Sequence, residues 1–145
     1  MLEVTVDKFI FRVAEDRFYS AEGVWVAVEG ARGRLGLTDF AQQINGDLAF
    51  ANVKPVGATI KASQVFADIE TVKAILELSS PVTGRIVEAN AELEASPELI
   101  NQDPYGKGWL TVMELERWEE EKGGLLDAPR YLELVKRQAE MEMKK

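Results

Sequence analysis

The residue in this chain best placed to do chemistry is Lys73. It lies in Glu70-Thr71-Val72-Lys73-Ala74, after one apolar run, Val65-Phe66-Ala67, and before a second, Ala74-Ile75-Leu76, which goes on to alternate with Glu77 and Leu78. Such runs read as strands, and the polar residues between them read as the turn that joins them. A turn lifts a lysine amine off the body of the protein. To act as a Schiff-base nucleophile the amine needs burial or a neighbouring cation, and a turn beside Glu70 offers neither. To act as an attachment point it needs only exposure and a rigid frame. Taken alone, a lysine at a turn is most often just solvated.

The rest of the composition restricts the chemistry further. The 145 residues contain no cysteine and no histidine. That removes disulfides, thiol nucleophiles, the usual zinc sites and every Ser-His or Cys-His pairing, and no metal site is expected. Redox or acyl-transfer work would have to come from a borrowed group. The 25 acids outnumber the 17 bases, giving a formal charge of −8, which disfavours nucleic acid and anionic membranes as partners. No apolar run is long enough to span a bilayer and no signal-peptide core opens the chain. The expectation is a soluble, cytoplasmic protein without an active site of its own.

The elements that must position Lys73 are mostly short strands. Strands are expected over residues 8–12, 24–29, 34–37, 47–53, 59–60, 64–70, 85–88 and 108–113, with residues 14–21 as a connection. Thr38 and Asp39 can cap a brief helix over 40–44, which Asn45-Gly46 ends. Residues 91–100 look helical in their first half, up to Pro97. The tail changes character. A charged helix is expected over 114–122, with Leu115 and Trp118 on one face, ended by Gly123-Gly124. A final helix is expected from Ala128 to about Met143, with Leu132, Val135 and Ala139 as its apolar stripe and Lys144 and Lys145 at its C-terminal end. Many short strands separated by turn signals indicate a β barrel or sandwich. Residues 1–113 would form this mainly β domain, with 114–145 as a helical extension packed on it. Residues 55–60 (PVGATI) and 81–86 (PVTGRI) echo each other on either side of Lys73, as a pseudo-symmetric barrel would require.

The motifs resemble those of the glycine cleavage system H protein family. The likeness rests on the Glu70–Ala74 lysine hairpin, on Gly84 downstream of it, and on residues 97–110 (PELINQDPYGKGWL). It is supported by residues 36–42 (GLTDFAQ) and 46–48 (GDL), and it runs roughly from Tyr19 to Leu110. The resemblance implies a lipoyl/biotinyl-carrier barrel-sandwich hybrid with C-terminal helices. It implies that Lys73 carries covalent lipoate, and that Glu70 and Gly84 help a lipoylating enzyme recognise the hairpin. Biotin carriers place their lysine between two methionines; here Val72 and Ala74 flank it. The partners implied are a lipoate ligase or lipoyl synthase machinery, together with the enzymes the arm serves.

One departure bears on which enzymes those are. The family's early His-Glu-Trp motif corresponds here to Gly23-Val24-Trp25, and that histidine lies near the cleft that shelters the loaded arm. The loss, the N-terminal KFIFR segment and Gln102 within Ile100-Asn101-Gln102-Asp103 are similar to a second branch, the lipoate-binding proteins of the sulfur-oxidising heterodisulfide-reductase-like system. On these grounds the reading leans to a carrier of sulfur intermediates serving a heterodisulfide-reductase-like complex. The alternative is a glycine cleavage H protein carrying the aminomethyl group among the glycine cleavage enzymes, dihydrolipoamide dehydrogenase included. From another class, the chain could be an interaction module in which Lys73 stays unmodified.

Overall fold

The computed structural model describes residues 1–143; Lys144 and Lys145, expected at the end of the last helix, lie outside the described residues. In chain order the elements are β1 (Leu2–Val6), β2 (Phe9–Val13), β3 (Phe18–Tyr19), β4 (Val24–Glu29), β5 (Arg32–Leu37), α1 (Asp39–Asn45), β6 (Leu48–Val53), β7 (Thr59–Ile60), β8 (Val65–Thr71), β9 (Ile75–Ser79) and β10 (Gly84–Ala89), followed by α2 (Glu92–Ala95), α3 (Leu99–Gln102), β11 (Thr111–Leu115), α4 (Trp118–Glu121) and α5 (Ala128–Met143). They form a six-stranded sheet in the order β3-β4-β5-β11-β10-β7, a three-stranded sheet β6-β8-β9, and the hairpin β1-β2.

The larger two sheets face each other across the main core. Val24, Val26, Leu35, Leu37, Ile86 and Met113 come from the six-stranded sheet, and Leu48, Phe66, Ile69 and Leu78 from the three-stranded one. Period-two alternation explains how one strand serves both faces: along β8, Ile69 and Thr71 are buried while Glu70 between them is exposed. The architecture is the mainly β sandwich with a C-terminal helix that was expected.

A second cluster holds α5 to the sheet. Tyr19 and Trp25 from β3 and β4, Phe11 and Val13 from β2, and Ala128, Tyr131, Val135 and Ala139 from α5 are all buried in it. Tyr19 and Tyr131 stack with centroids 4.5 Å apart. Burying an indole such as Trp25 removes roughly 150–250 Å² from water, on the order of 4–6 kcal/mol as an upper bound. The ring needs the space left by Gly36, where a Cβ would fall 2.4 Å from Trp25 Cζ2. The buried stripe of α5 includes Val135 and Ala139 as expected, but Tyr131 takes the fully buried place expected of Leu132, which is only half-buried.

Several expectations change for identifiable reasons. β11 runs on to Leu115, past the boundary placed at 113, because Glu114 pairs with Arg32 and Arg85 and the Leu115 amide donates to Ala31 O at 2.8 Å. The charged helix is thereby cut to Trp118–Glu121. Strand pairing overrides helix propensity here. β1, β3 and α3 were not expected. The echo between residues 55–60 and 81–86 has a physical basis, since the two segments lie antiparallel. Ile60 pairs with Gly84 and Thr59 with Arg85, and Ile86 donates to Ala58 O at 2.9 Å. Pairing centred on Thr59 and Arg85 relates the two segments by a local two-fold.

Candidate functional site: the Lys73 hairpin and its groove

Lys73 stands at the tip of the β8–β9 hairpin, in the turn formed by residues 72–74. The turn is built around Thr71, whose side chain is buried. The Thr71 hydroxyl accepts the Lys73 amide at 3.2 Å and the Ala74 amide at 3.1 Å. It donates to Ala74 O at 3.3 Å, while the Thr71 amide donates to the same carbonyl at 2.8 Å. Every backbone donor of the turn has a partner, because Val72 N–H reaches Asp47 O at 3.1 Å. The frame is rigid, and the side chains it carries project from it. Lys73 is exposed, and Val72 and Ile75 are 73% and 71% exposed.

The lysine side chain lies along the end of α1. Its Nζ donates to Ile44 O at 3.3 Å, and its Cε is 3.8 Å from where a Cβ on Gly46 would sit. Gly46 has a φ of +85°, so glycine suits it both for conformation and for space. Lys73 forms no salt bridge with any described carboxylate. Thr38 starts α1, accepting the Ala41 amide at 3.2 Å, as its position in the sequence requires.

Behind this turn lies a polar network that sequence reasoning did not assign to the site. Asn101 on α3 donates Nδ2 to Gly46 O at 3.1 Å and to Gln42 Oε1 at 2.9 Å. Its Oδ1 accepts the Leu48 amide at 2.9 Å. Asn101 thus fixes residues 46–48, and Asp47 within them holds Val72. The other motif residues hold α3 in place. Trp25 Nε1 donates to Pro104 O at 3.0 Å, Asp103 Oδ2 accepts the Lys107 amide at 2.9 Å, and Gly108 passes where a Cβ would meet Leu99 O at 2.5 Å. The PELINQDPYGKGWL segment was the signal, but it did not reveal which residue reaches the hairpin.

The other two candidates sit differently. Glu70 is exposed and lies across from Phe50 on β6 and Ile75 on β9, so the three share one outward face beside the turn. Gly84 is buried in β10, in the six-stranded sheet rather than in the hairpin's sheet. A Cβ there would fall 2.4 Å from Glu114 O, so glycine lets β10 close on β11.

A groove opens beside Ile44. One cavity of about 340 Å³ is lined by Glu22, Gly23, Phe40, Ile44, Tyr131 and Gln138, among others. A neighbour of about 280 Å³ shares Phe40, Ile44 and Gln138 with it and adds Met141 and Glu142. At Gly23, φ is +95° and a Cβ would lie 2.9 Å from the Ala41 Cβ. The missing family histidine therefore has a steric explanation, as the backbone here leaves no room for a side chain. Val24, in the place of the motif's glutamate, is fully buried in the core. A larger depression of about 470 Å³ lies on the outer face of the six-stranded sheet, between Arg32, Arg34, Glu29 and Glu88.

These features fit a long, largely apolar group held by amide linkage to Lys73. The amine is exposed on a rigid turn, and the groove beside it has mostly apolar and uncharged walls. Among the described residues no group of three or more acids is placed to hold a metal, and no helix is long and apolar enough to cross a membrane.

Comparison with known proteins gives consistent matches. The family model described as glycine cleavage H-protein matches residues 17–138. The glycine cleavage system H protein of Brevibacillus brevis is 46% identical over 118 residues, covering 81% of this chain and 93% of that one. Its counterpart in Carboxydothermus hydrogenoformans is 42% identical over 128 residues, covering 88% and 98%. The crystal structure of a glycine cleavage system H protein from Mycobacterium marinum superposes with a TM-score of 0.74 at 34% identity, covering 82% of this chain and 95% of that one. These likenesses favour the glycine cleavage alternative and correct the lean to the sulfur-oxidising branch and its heterodisulfide-reductase-like complex, which none of them supports.

Proposed function

The chain belongs to the glycine cleavage H-protein family, whose members carry lipoate on a lysine and have no catalytic activity of their own, and on that premise we propose that Lys73 is the lysine concerned and that its load is the aminomethyl group of glycine cleavage. The observation that carries the assignment is the state of the amine: exposed on a turn braced by Thr71, with no carboxylate partner among the described residues. When bound, the dithiolane supplies thiol–disulfide exchange and a sulfur to take up the one-carbon amine, which this cysteine-free chain cannot.

The chain's own residues position and shield. Thr71 and Asp47 hold the turn so that a modifying enzyme, a lipoate ligase or the lipoyl synthase machinery, meets one fixed shape. Glu70, exposed between Phe50 and Ile75, is the charge such an enzyme reads. Gly84 acts in recognition through the close approach of β10 to β11. The groove past Ile44 keeps water from part of the arm between visits to the glycine cleavage enzymes, dihydrolipoamide dehydrogenase among them, in the cytoplasm. Protein made in a lipoylating host should show a lipoyl adduct by intact mass, absent in Lys73→Ala, and should support glycine decarboxylation with its partner enzymes. An unmodified mass under those conditions defeats the proposal.

A further inference from the structure

The β1–β2 hairpin stands ahead of residues 17–138, the stretch that matches the family model. Its loop is Asp7-Lys8, with Asp7 at a φ of +58°, and its ladder runs without a shift from Leu2 opposite Val13 to Val6 opposite Phe9. The side of β2 away from β1 is engaged by side chains. The Arg12 amide donates to Asp39 Oδ2 at 2.9 Å, the Tyr105 hydroxyl donates to Arg12 O at 2.7 Å, and Gln43 Nε2 donates to Ile10 O at 2.9 Å. Arg12 and Ile10 therefore turn their backbone groups away from β1, and Glu3 and Thr5, which lie opposite them, are non-hydrogen-bonded partners in the ladder. The N–H and C=O of Glu3 and Thr5 then point out of the free edge of β1. Both residues are exposed, and no other described residue bonds these groups.

Proteins commonly blunt such an edge with proline, a bulge or lysine; Leu2-Glu3-Val4-Thr5-Val6 has none of these. Its one charge, Glu3, is already paired with Arg12 at 2.9 Å. The edge is also complementary to itself. Antiparallel pairing of two copies must set outward-facing residues opposite each other, which leaves two-fold registers centred on Glu3, Val4 or Thr5. The first opposes Glu3 to Glu3, and the last opposes Glu3 to Asp7; like charges directly opposite destabilise both. The register centred on Val4 opposes Glu3 to Thr5, and each such pair can exchange both its hydrogen bonds. It also brings Val4 against Val4 and Leu2 against Val6, on the face that packs in the α5 cluster, where Leu2 and Val4 are only half-buried. We infer that β1 pairs with β1 of a second copy of this chain in this register, joining two two-stranded sheets into one of order β2-β1-β1-β2. The contact is small and each copy carries a charge of −8, so the dimer is weak, and salt strengthens it by screening the repulsion. The free edge lies on the side of the hairpin away from α1, whose end receives Lys73. Both lysines therefore stay open, and the inference does not depend on the function proposed above.

The test is a concentration series of the full chain into the millimolar range, followed by sedimentation and by amide hydrogen exchange. The average mass should rise towards that of a dimer. Exchange at Glu3 and Thr5 should slow with concentration, while Val4 and Val6, already bonded to β2, change little. Thr5→Glu sets a carboxylate opposite each Glu3 and should abolish the dimer. Thr5→Lys sets an ammonium there and should tighten it several-fold. That gain should exceed the effect of Val56→Lys, which makes the same change of net charge at an exposed residue outside the hairpin. In a register centred on Thr5 the two lysines would meet, and Thr5→Lys would loosen the dimer instead. A chain that stays monomeric, with unslowed exchange at Glu3 and Thr5, overturns the inference. A dimer that leaves these two amides unprotected, or that Thr5→Lys weakens, overturns it as well.

Discussion

The Oδ1 of Asn101 accepts the backbone N–H of Leu48 at 2.9 Å, across 53 residues of chain. With Nδ2 donating to Gly46 O, it clamps the segment whose Asp47 carbonyl holds Val72, next to Lys73. Asn101 is therefore a positioning residue for the lysine hairpin, acting through the backbone of residues 46–48.

Asn101→Ala leaves a partly buried N–H and C=O without partners. The expected cost is about 1–3 kcal/mol of global stability by denaturant melts. The sharper readout is local. Amide exchange at Val72 should quicken more than exchange in the β4–β5 pair, and lipoylation should slow chiefly through a higher KM for the protein. A uniform change in exchange across the chain would reduce Asn101 to a general stabiliser.

Gly84→Ala separates two readings of a single glycine. A Cβ there falls 2.4 Å from Glu114 O, a backbone atom that moves only if β10 and β11 part. Overpacking of this kind costs about 1–3 kcal/mol. The Tm should fall even in unmodified protein. Lipoylation measured well below that Tm should slow as well, if Gly84 also shapes what the modifying enzyme reads. An unchanged Tm would refute the steric account.

The hairpin was legible because strand alternation and a polar interruption are local signals. Residues 24–29 were legible from their density of valine, and 128–143 from the helical spacing that buries Val135 and Ala139. What escaped depended on distant partners. Residues 114 and 115 have helix-forming character, yet Arg32, Arg85 and Gly84 lie opposite them and make them strand. Asn101 reads as a turn residue until folding brings it to Gly46. Residues 2–6 alternate clearly enough to have been read as a strand, but their value lies in pairing with β2. The loss of the motif histidine at Gly23 carried no physical reason until Ala41 appeared beside it. The sulfur-branch lean rested on a few local features, the KFIFR segment, Gly23-Val24 and Gln102, whereas likeness over most of the chain favours the glycine cleavage alternative.

Alkaline pH tests the second core. Burial holds the phenols of Tyr19 and Tyr131 well above the usual tyrosine range. A tyrosine with a raised folded-state value gives up its proton first in the unfolded chain. Its stabilising contribution is thus intact below about pH 10 and is lost as pH rises beyond it, at roughly 1.4 kcal/mol per pH unit for each such group. Denaturant melts should be flat to pH 10 and then fall steeply. Tyr131→Phe should make the fall shallower, at the expense of about 1 kcal/mol at neutral pH for the lost bond to Thr38. Phenolate absorbance rising near pH 10 in protein that stays folded would contradict the burial argument.

Gly23 brings together two constraints that substitution can separate. Its φ of +95° is one that side-chain-bearing residues rarely adopt, and its space is closed by the Ala41 Cβ at 2.9 Å. Gly23→Ala meets both. Backbone strain accounts for about 1 kcal/mol, and the contact with α1 for roughly 1–3 kcal/mol more. In Gly23→Ala combined with Ala41→Gly the clash is gone but the φ penalty remains. The double variant should therefore recover stability relative to the sum of the two single changes, with a coupling of about 1 kcal/mol or more. Additive effects would mean that the two residues do not touch, and that the histidine's absence needs a cause other than lack of room. Gly23→His should be worse than Gly23→Ala, because its ring would have to enter the space between Ala41, Thr38 and the Tyr131 hydroxyl. Restoring the family's residue in this chain should thus lower stability and disturb the groove, as a drop in Tm and altered Tyr131 ring resonances would register.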